Sequence, residues 1–437
     1  MIIFMQLRDI AIQSATTLAS ILFQIERGPK PEEVLAAIKD CDGAHILFVL
    51  DGWDEFPPGL HGDSMVKDLI CRPADVGMSL RTIIITSRPI ASAELRRHYA
   101  SSRVEIVGFR RAEMKCYFEE AIREPHIVQK LEDHLKLRPV IEASCYLPLN
   151  AAIVVHIFLA LNYSLPTTLF GVFTSLVVCC ITRHLTRQAG EEEIPEISSL
   201  GDLPAGIQEP FNNICTLAYY GVRENKATFS TAELQSYHLP TELSTLSLIQ
   251  AVNSFTVVGK SKSYSFLHLS VQELLAAFHI SKISPKEQVK IFNELFEEPR
   301  FSAVFQFYAA FTKLQSEGVR DVVTRIVKGD DKFLLSSLLH CLYEARDVPL
   351  CTFVSSLLNG QLDFSNESLS PVDCLAVGYF INSVCLTTSG EFKVNLYNCD
   401  LNHYGISLLC KEMSDCSGYC GIPAAGAGHL NIKYAPC

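Results

Sequence analysis

The spacing of apolar and polar positions divides the chain near residue 110. Before it, three short apolar runs at residues 2–7 (IIFMQL), 46–50 (ILFVL) and 82–86 (TIIIT) have the length of fully buried strands. Helix-like stretches between the first two predict a parallel α/β sheet, to which residues 104–107 offer a fourth strand. Beyond it, helical periodicity dominates to about residue 365, starting at residues 111–123 with Met114, Tyr117, Phe118 and Ala121 on one face.

Three segments break that pattern. Residues 254–269 (SFTVVGKSKSYSFLHL) carry two β-rich arms around a polar Gly-Lys-Ser-Lys-Ser turn, which predicts a hairpin set among helices. Residues 188–204 (QAGEEEIPEISSLGDLP) read as a surface loop. In residues 394–409 (VNLYNCDLNHYGISLL), Leu396, Cys399 and Leu401 have the spacing of a leucine-rich repeat, and one such repeat is visible. The tail beyond Cys416 continues no periodicity, and its Gly426 and Gly428 lack the third glycine and preceding strand of a dinucleotide site.

Composition narrows the classes. A chain of 437 residues exceeds one core and implies several domains. With 48% hydrophobic and 19% charged residues it is globular rather than disordered. A net charge of -11, with no basic stripe, argues against nucleic acid as a partner. Of the 16 cysteines, Cys145, Cys179, Cys180, Cys215, Cys341 and Cys374 sit in apolar, helix-like segments, as small hydrophobes do. There is no CxxC, and Cys416 and Cys420 form only a loose CxxxC, so a reduced intracellular protein is expected. Arg8 and Asp9 interrupt the apolar start, which has no signal-peptide pattern. The apolar runs 147–161 and 170–181 are expected to be buried core helices rather than membrane spans.

The candidate chemistry lies at two strand tips. Residues 46–56 (ILFVLDGWDEF) end a strand on Asp51, the arrangement by which P-loop NTPases orient a magnesium ion. Asp54 and Glu55 follow, where a carboxylate positions or deprotonates water. Residues 82–89 (TIIITSRP) carry Arg88 to a second tip, where a guanidinium can pair bidentately with a γ-phosphate. An acidic metal-dependent phosphohydrolase site is the competing reading of the same DGxDE cluster.

Together, DGWDE and TSRP resemble the extended Walker B and sensor 1 motifs of NACHT domains, the STAND class of regulatory NTPases found in NOD-like receptors. The opening FMQLRDIAIQSATTLASIL resembles the strand and helix between Walker A and Walker B in that family. Tyr146-Leu147-Pro148-Leu149 is similar to its helical-domain motif, which implies that Pro148 packs near an adenine. Residues 266–277 (FLHLSVQELLAA) resemble its winged-helix signature, which implies that His268 meets the β-phosphate of ADP. On the residues alone, His268 also reads as a capping or core histidine, with Ser270 and Glu273 as a capping box.

The resemblance implies a partial parallel P-loop NTPase sheet, then mostly α-helical domains with a winged-helix hairpin and a rudimentary leucine-rich repeat. The expected bounds are 1–110 (partial nucleotide domain), 111–165 (helical domain 1), 166–280 (winged helix), 281–365 (helical domain 2) and 366–437 (start of repeats and tail). ADP or ATP with magnesium is the implied cofactor. Protein partners through the helical and repeat domains, homo- or hetero-oligomers, and a cytoplasmic setting go with it.

One motif departs from the family. A phosphate loop needs GxxxxGK[ST] between a strand and a helix. The sole GK[ST], Gly259-Lys260-Ser261, lacks the upstream glycine, follows the acidic motif and sits in the expected hairpin turn. In the family the loop would precede residue 1, so the chain is expected to begin inside the nucleotide domain. Each lost charge-assisted hydrogen bond weakens nucleotide binding by roughly 1.5–3 kcal/mol, and hydrolysis by this chain is not expected. Two functions follow: a nucleotide-dependent signalling switch in innate sensing, or a nucleotide-free scaffold or decoy that pairs with intact relatives.

Overall fold

The computed structural model describes residues 2–7, 17–19, 30–56, 64–72, 74, 78–87, 102, 104, 106, 108–189, 197–239, 245–256, 259–315, 318–329, 331–385, 387, 391–399, 401, 403–413 and 429–433. The first part holds β1 (Ile2–Gln6), α1 (Pro31–Asp40), β2 (Leu47–Asp51), α2 (Met65–Cys71) and β3 (Thr82–Ile85). Helices α3 (Arg111–Ile122), α4 (Pro125–Lys136), α5 (Pro139–Ser144), α6 (Pro148–Ala160), α7 (Leu169–Ala189) and α8 (Ala205–Arg223) follow. Then come β4 (Thr228–Ser230), α9 (Thr231–Ser236), β5 (Ile249–Thr256), β6 (Gly259–Phe266) and α10 (Leu269–Lys282). A second helical run holds α11 (Pro285–Leu295), α12 (Ser302–Thr312), α13 (Val319–Lys328), α14 (Lys332–Ala345) and α15 (Val348–Leu357). The last elements are β7 (Gln361–Asp363), α16 (Pro371–Cys385), β8 (Glu391–Asn395), α17 (His403–Glu412) and β9 (His429–Lys433). They group into two compact units: Met1–Ile106 with Arg183–Ile194 and Pro204–Ala276, and Val107–Thr182 with Pro195–Leu203 and Ala277–Cys437.

The first unit is built on the parallel sheet β1-β2-β3. Ile3, Met5, Leu7, Phe48 and Leu50 form one core with Val34 and Ile38 of α1 and Val66, Leu69 and Ile70 of α2. Among the described residues the opposite face is only partly covered: Ile2, Phe4 and Ile84 are 71%, 58% and 49% exposed, while Leu47 and Val49 of β2 are half-buried. The expectation of strands buried on both faces is therefore corrected. Strands that follow one another side by side, each joined by a right-handed crossover, receive both helices on the same face. Of the expected fourth strand, Val104 and Ile106 are in no strand and are exposed, and the remaining positions lie outside the described residues. Exposure on both leaves no packing to favour an extended partner there.

The same unit contains the antiparallel sheet β4-β6-β5. The expected antiparallel arms are present, but the segment expected to be the turn is part of a strand. Gly259 pairs with Thr256, so Gly259-Lys260-Ser261 begins β6, and residues 257–258 lie outside the described residues. Extending both strands satisfies the backbone groups that a longer polar turn would leave unpaired.

In the second unit, Met114, Phe118 and Ile122 form the buried stripe of α3 at i, i+4 and i+8, whereas Ala121 of the expected face is exposed. Phe170 and Phe173 of α7 pack edge-on against Phe311 and Phe307. By length and composition α7 is long and apolar enough to cross a membrane over Leu169–Arg187, so its apolar character extends beyond the short run read from the sequence. Ile197, Leu200 and Leu203 are buried, so the second half of the expected surface loop is packed. Burial of these three apolar side chains outweighs the polar composition of the residues around them.

A polar cluster ties α14 to α16. Asp373 accepts from Ser336 Oγ at 3.1 Å and meets His340 Nε2 at 2.7 Å, and its other oxygen accepts from Ser370 Oγ and N–H. Burial pushes this carboxyl up, but the hydrogen bonds and charge of His340 and the bonds from Ser370 outweigh it and hold it at about 2.

Strand β7 pairs in parallel with β8, and β9, in the tail where no periodicity was read, pairs antiparallel with β8. Phe392 and Val394 are the buried positions of β8, while Leu396, Cys399 and Leu401 of the expected core pattern are half-buried. They follow the end of the strand, where alternation no longer points them inward. Asn398 donates to Asn366 at 3.0 Å, and both take left-handed backbone conformations, φ 55 and 65.

Candidate functional site

The acidic motif is held at one end of the parallel sheet. Asp51 is the last residue of β2; its carbonyl accepts from Leu7 N–H at 2.8 Å, locking the tip to β1. Gly52 then turns the chain with φ 85, a left-handed conformation that suits glycine, and a 3-10 turn runs over Trp53–Glu55. Trp53 and Phe56 stack at 5.7 Å and are 5% and 1% exposed, so the turn is anchored in the sheet core. Asp51 and Asp54 remain half-buried at its surface, and the side chain of Glu55 lies outside the described residues.

Thr86 completes this tip. Its hydroxyl donates to Asp51 Oδ1 at 2.6 Å and accepts from Gly52 N–H at 2.9 Å, and its carbonyl accepts from Trp53 N–H at 2.9 Å. The motifs DGWDE and TSRP are thus brought together through Thr86, a residue the sequence reading passed over in favour of Arg88. Its signal was available: a hydroxyl ending a strand that is expected to lie beside Asp51. Arg88 itself lies outside the described residues.

His268 stands between β6 and α10 in the same unit. Its Nδ1 accepts from Ser270 N–H at 3.0 Å, and its carbonyl accepts from Val271 and Gln272 N–H. His268 therefore caps α10, and Ser270 lies inside the helix rather than capping it. Because Nδ1 accepts, the neutral ring carries its proton on Nε2, a donor suited to an anionic oxygen. Pro148 belongs to the other unit. It occupies the first turn of α6, where its missing N–H costs nothing, and it is exposed. The preceding turn is pinned by Gly108, at φ 77, where an added Cβ would meet Tyr146 O at 2.2 Å.

These residues can do part of what a magnesium-nucleotide site requires. A magnesium ion bound with a nucleotide commonly takes one or two carboxylates and the phosphates, and Asp51 offers such a carboxylate. Among the described residues no group of three His, Cys, Asp or Glu side chains could hold a metal by itself. Gly259-Lys260-Ser261 lies in an antiparallel strand, which is not the strand-to-helix loop that cradles phosphates.

Comparison with known proteins points the same way. No family model matches the chain. It is 23% identical to NACHT, LRR and PYD domains-containing protein 3 of Bos taurus, over 63% of this chain and 27% of that protein. It is 27% identical to protein 12 of the same series from Homo sapiens, over 54% of this chain and 22% of the relative. With the protein 1 homolog of Danio rerio it shares 22% identity over 85% of this chain and 30% of the relative. The chain thus spans less than a third of the length of these curated relatives. The likeness recurs across several members of the series and several species, and it makes this chain a relative of the NOD-like receptor family.

Proposed function

We propose that the chain works as a NOD-like-receptor-type signalling module built on an ADP/ATP-responsive NACHT switch in innate sensing within the cytoplasm. The observation that carries this reading is Asp51 at the tip of a parallel strand, joined through Thr86 to the tip of the next. Asp51 would orient magnesium, Asp54 and Glu55 would position water, and Arg88 and His268 would meet phosphate oxygens, with Pro148 near the adenine. When bound, the nucleotide and its metal would supply the charge that favours one arrangement of the domains over another. The sheet β4-β6-β5 with its helices is read as the winged helix of 166–280. Residues 111–165 and 281–365 are read as the two helical domains, and β7–α16–β8–α17 as the first leucine-rich repeats.

One observation favours the second reading, a nucleotide-free scaffold that pairs with intact relatives: Asp51 is already hydrogen-bonded by Thr86. Binding of a fluorescent ADP analogue with magnesium separates the two. The switch reading expects micromolar binding by the wild-type chain, weakened roughly tenfold or more in Asp51→Ala and His268→Ala through loss of a charge-assisted contact. Absence of binding by a folded wild-type chain would leave the scaffold.

A further inference from the structure

The acidic turn is gripped from far along the sequence. Asn225 Nδ2 donates to the carbonyl of Asp54 at 2.9 Å, across 171 positions. Asn225 ends α8 with a left-handed φ of 54. Its N–H donates to Val222 O at 3.1 Å and Lys226 N–H donates to Gly221 O at 2.7 Å, the pair of bonds of a Schellman close. Asparagine tolerates that backbone, and its amide is left pointing away from the helix end. The next carbonyl, Lys226 O, accepts from Gln272 Nε2 at 3.0 Å. Gln272 is buried at 1% exposure and lies one helical turn beyond His268, whose carbonyl its N–H contacts. Gly221 permits this crossing, since a Cβ there would meet Gln272 Nε2 at 2.4 Å.

We propose that Asn225 is a positioning residue, the latch that couples the acidic turn Trp53–Glu55 to the helix capped by His268. The corner at 225–226 presents one donor to the turn and one acceptor to Gln272. Displacement of the turn is thereby felt at the start of α10, and movement of α10 at Asp54. This goes beyond the proposed nucleotide switch while resting on it for its purpose: Asp51 and His268 are the two ends assigned to the ligand, and the corner is the link between them.

Trp53 makes the latch measurable, because it is the only tryptophan of the chain and stands in the gripped turn. Asn225→Gly keeps the left-handed backbone and removes the donor; Asn225→Asp keeps the shape and turns a carboxylate toward the Asp54 carbonyl. In nucleotide-free protein with unchanged circular dichroism, both are expected to raise acrylamide quenching of Trp53 roughly twofold or more, as a lost hydrogen bond shifts the closed turn toward open states. The analogue with magnesium should in addition bind several-fold more weakly to both variants. A helix cap alone would alter the melting temperature without exposing Trp53. Unchanged quenching in both folded variants overturns the latch, whatever the nucleotide does. Raised quenching with no analogue bound by the wild-type chain upholds the latch and removes the nucleotide reading.

Discussion

Thr86 Oγ1 donates to Asp51 Oδ1 across 2.6 Å, closing the tips of two adjacent parallel strands with one hydroxyl. That hydroxyl also accepts from Gly52 N–H, so it is both donor and acceptor within a single turn. Thr86→Val keeps the volume and removes both bonds. It is expected to cost about 1–2 kcal/mol in the first unit, with Thr86→Ser restoring most of it. Urea unfolding followed by Trp53 emission reads this directly, and an unchanged midpoint in Thr86→Val would contradict the assigned role.

Gly108 is the backbone hinge of the Tyr146–Pro148 turn. A Cβ at this position would stand 2.2 Å from Tyr146 O, and φ 77 is unfavourable for any side chain. Gly108→Ala is expected to destabilise the second unit by about 2–4 kcal/mol, visible as a lowered melting temperature. A melting curve superimposable on wild type would show that the turn does not need this approach.

Glu344 introduces a pH dependence. Its Oε2 is enclosed without a hydrogen-bond partner, and burial pushes the carboxyl up to about 7, opposed by Arg346, His340 and Lys313. The folded value lies above the ordinary 4.5, so the folded chain holds this proton more tightly than the unfolded one. Stability contributed by the neutral acid is therefore present below the ordinary value and lost as pH rises toward 7. Since the residue is half-buried, Glu344→Gln is expected to gain about 1–3 kcal/mol over wild type at pH 8, shrinking toward zero near pH 4.5. Melting temperatures across that range test the sign.

The thiols should separate by burial. Burial pushes Cys145, Cys351 and Cys374 up to about 12, whereas Cys116 on α3 is exposed. At pH 8 iodoacetamide is expected to modify Cys116 roughly tenfold or more faster than those three, because the thiolate is the reacting species. Peptide mass spectrometry under native conditions measures the rates; early modification of Cys145 would contradict the packing of α5.

Several features were legible in residue order alone. Short apolar runs ending in Asp51 and Thr86 specify strands and what stands at their tips, since strand length and chemistry are local properties. The period of Met114 and Phe118 specifies a helix for the same reason, and the arms of β5 and β6 specify a hairpin. Local signals read Gly259-Lys260-Ser261 as its turn although these residues pair within β6, because register is decided by pairing between strands.

What only the tertiary structure decided is which groups meet. Sequence could not show that the helices after β1 and β2 pack on one face of the sheet, since that depends on the direction in which successive strands are added. Nor could it show that His268 spends its Nδ1 on a backbone N–H, or that Asn225 holds Asp54. Those contacts join positions far apart in the chain, and their geometry exists only once strands, helix ends and the turn at Gly52 have been packed together.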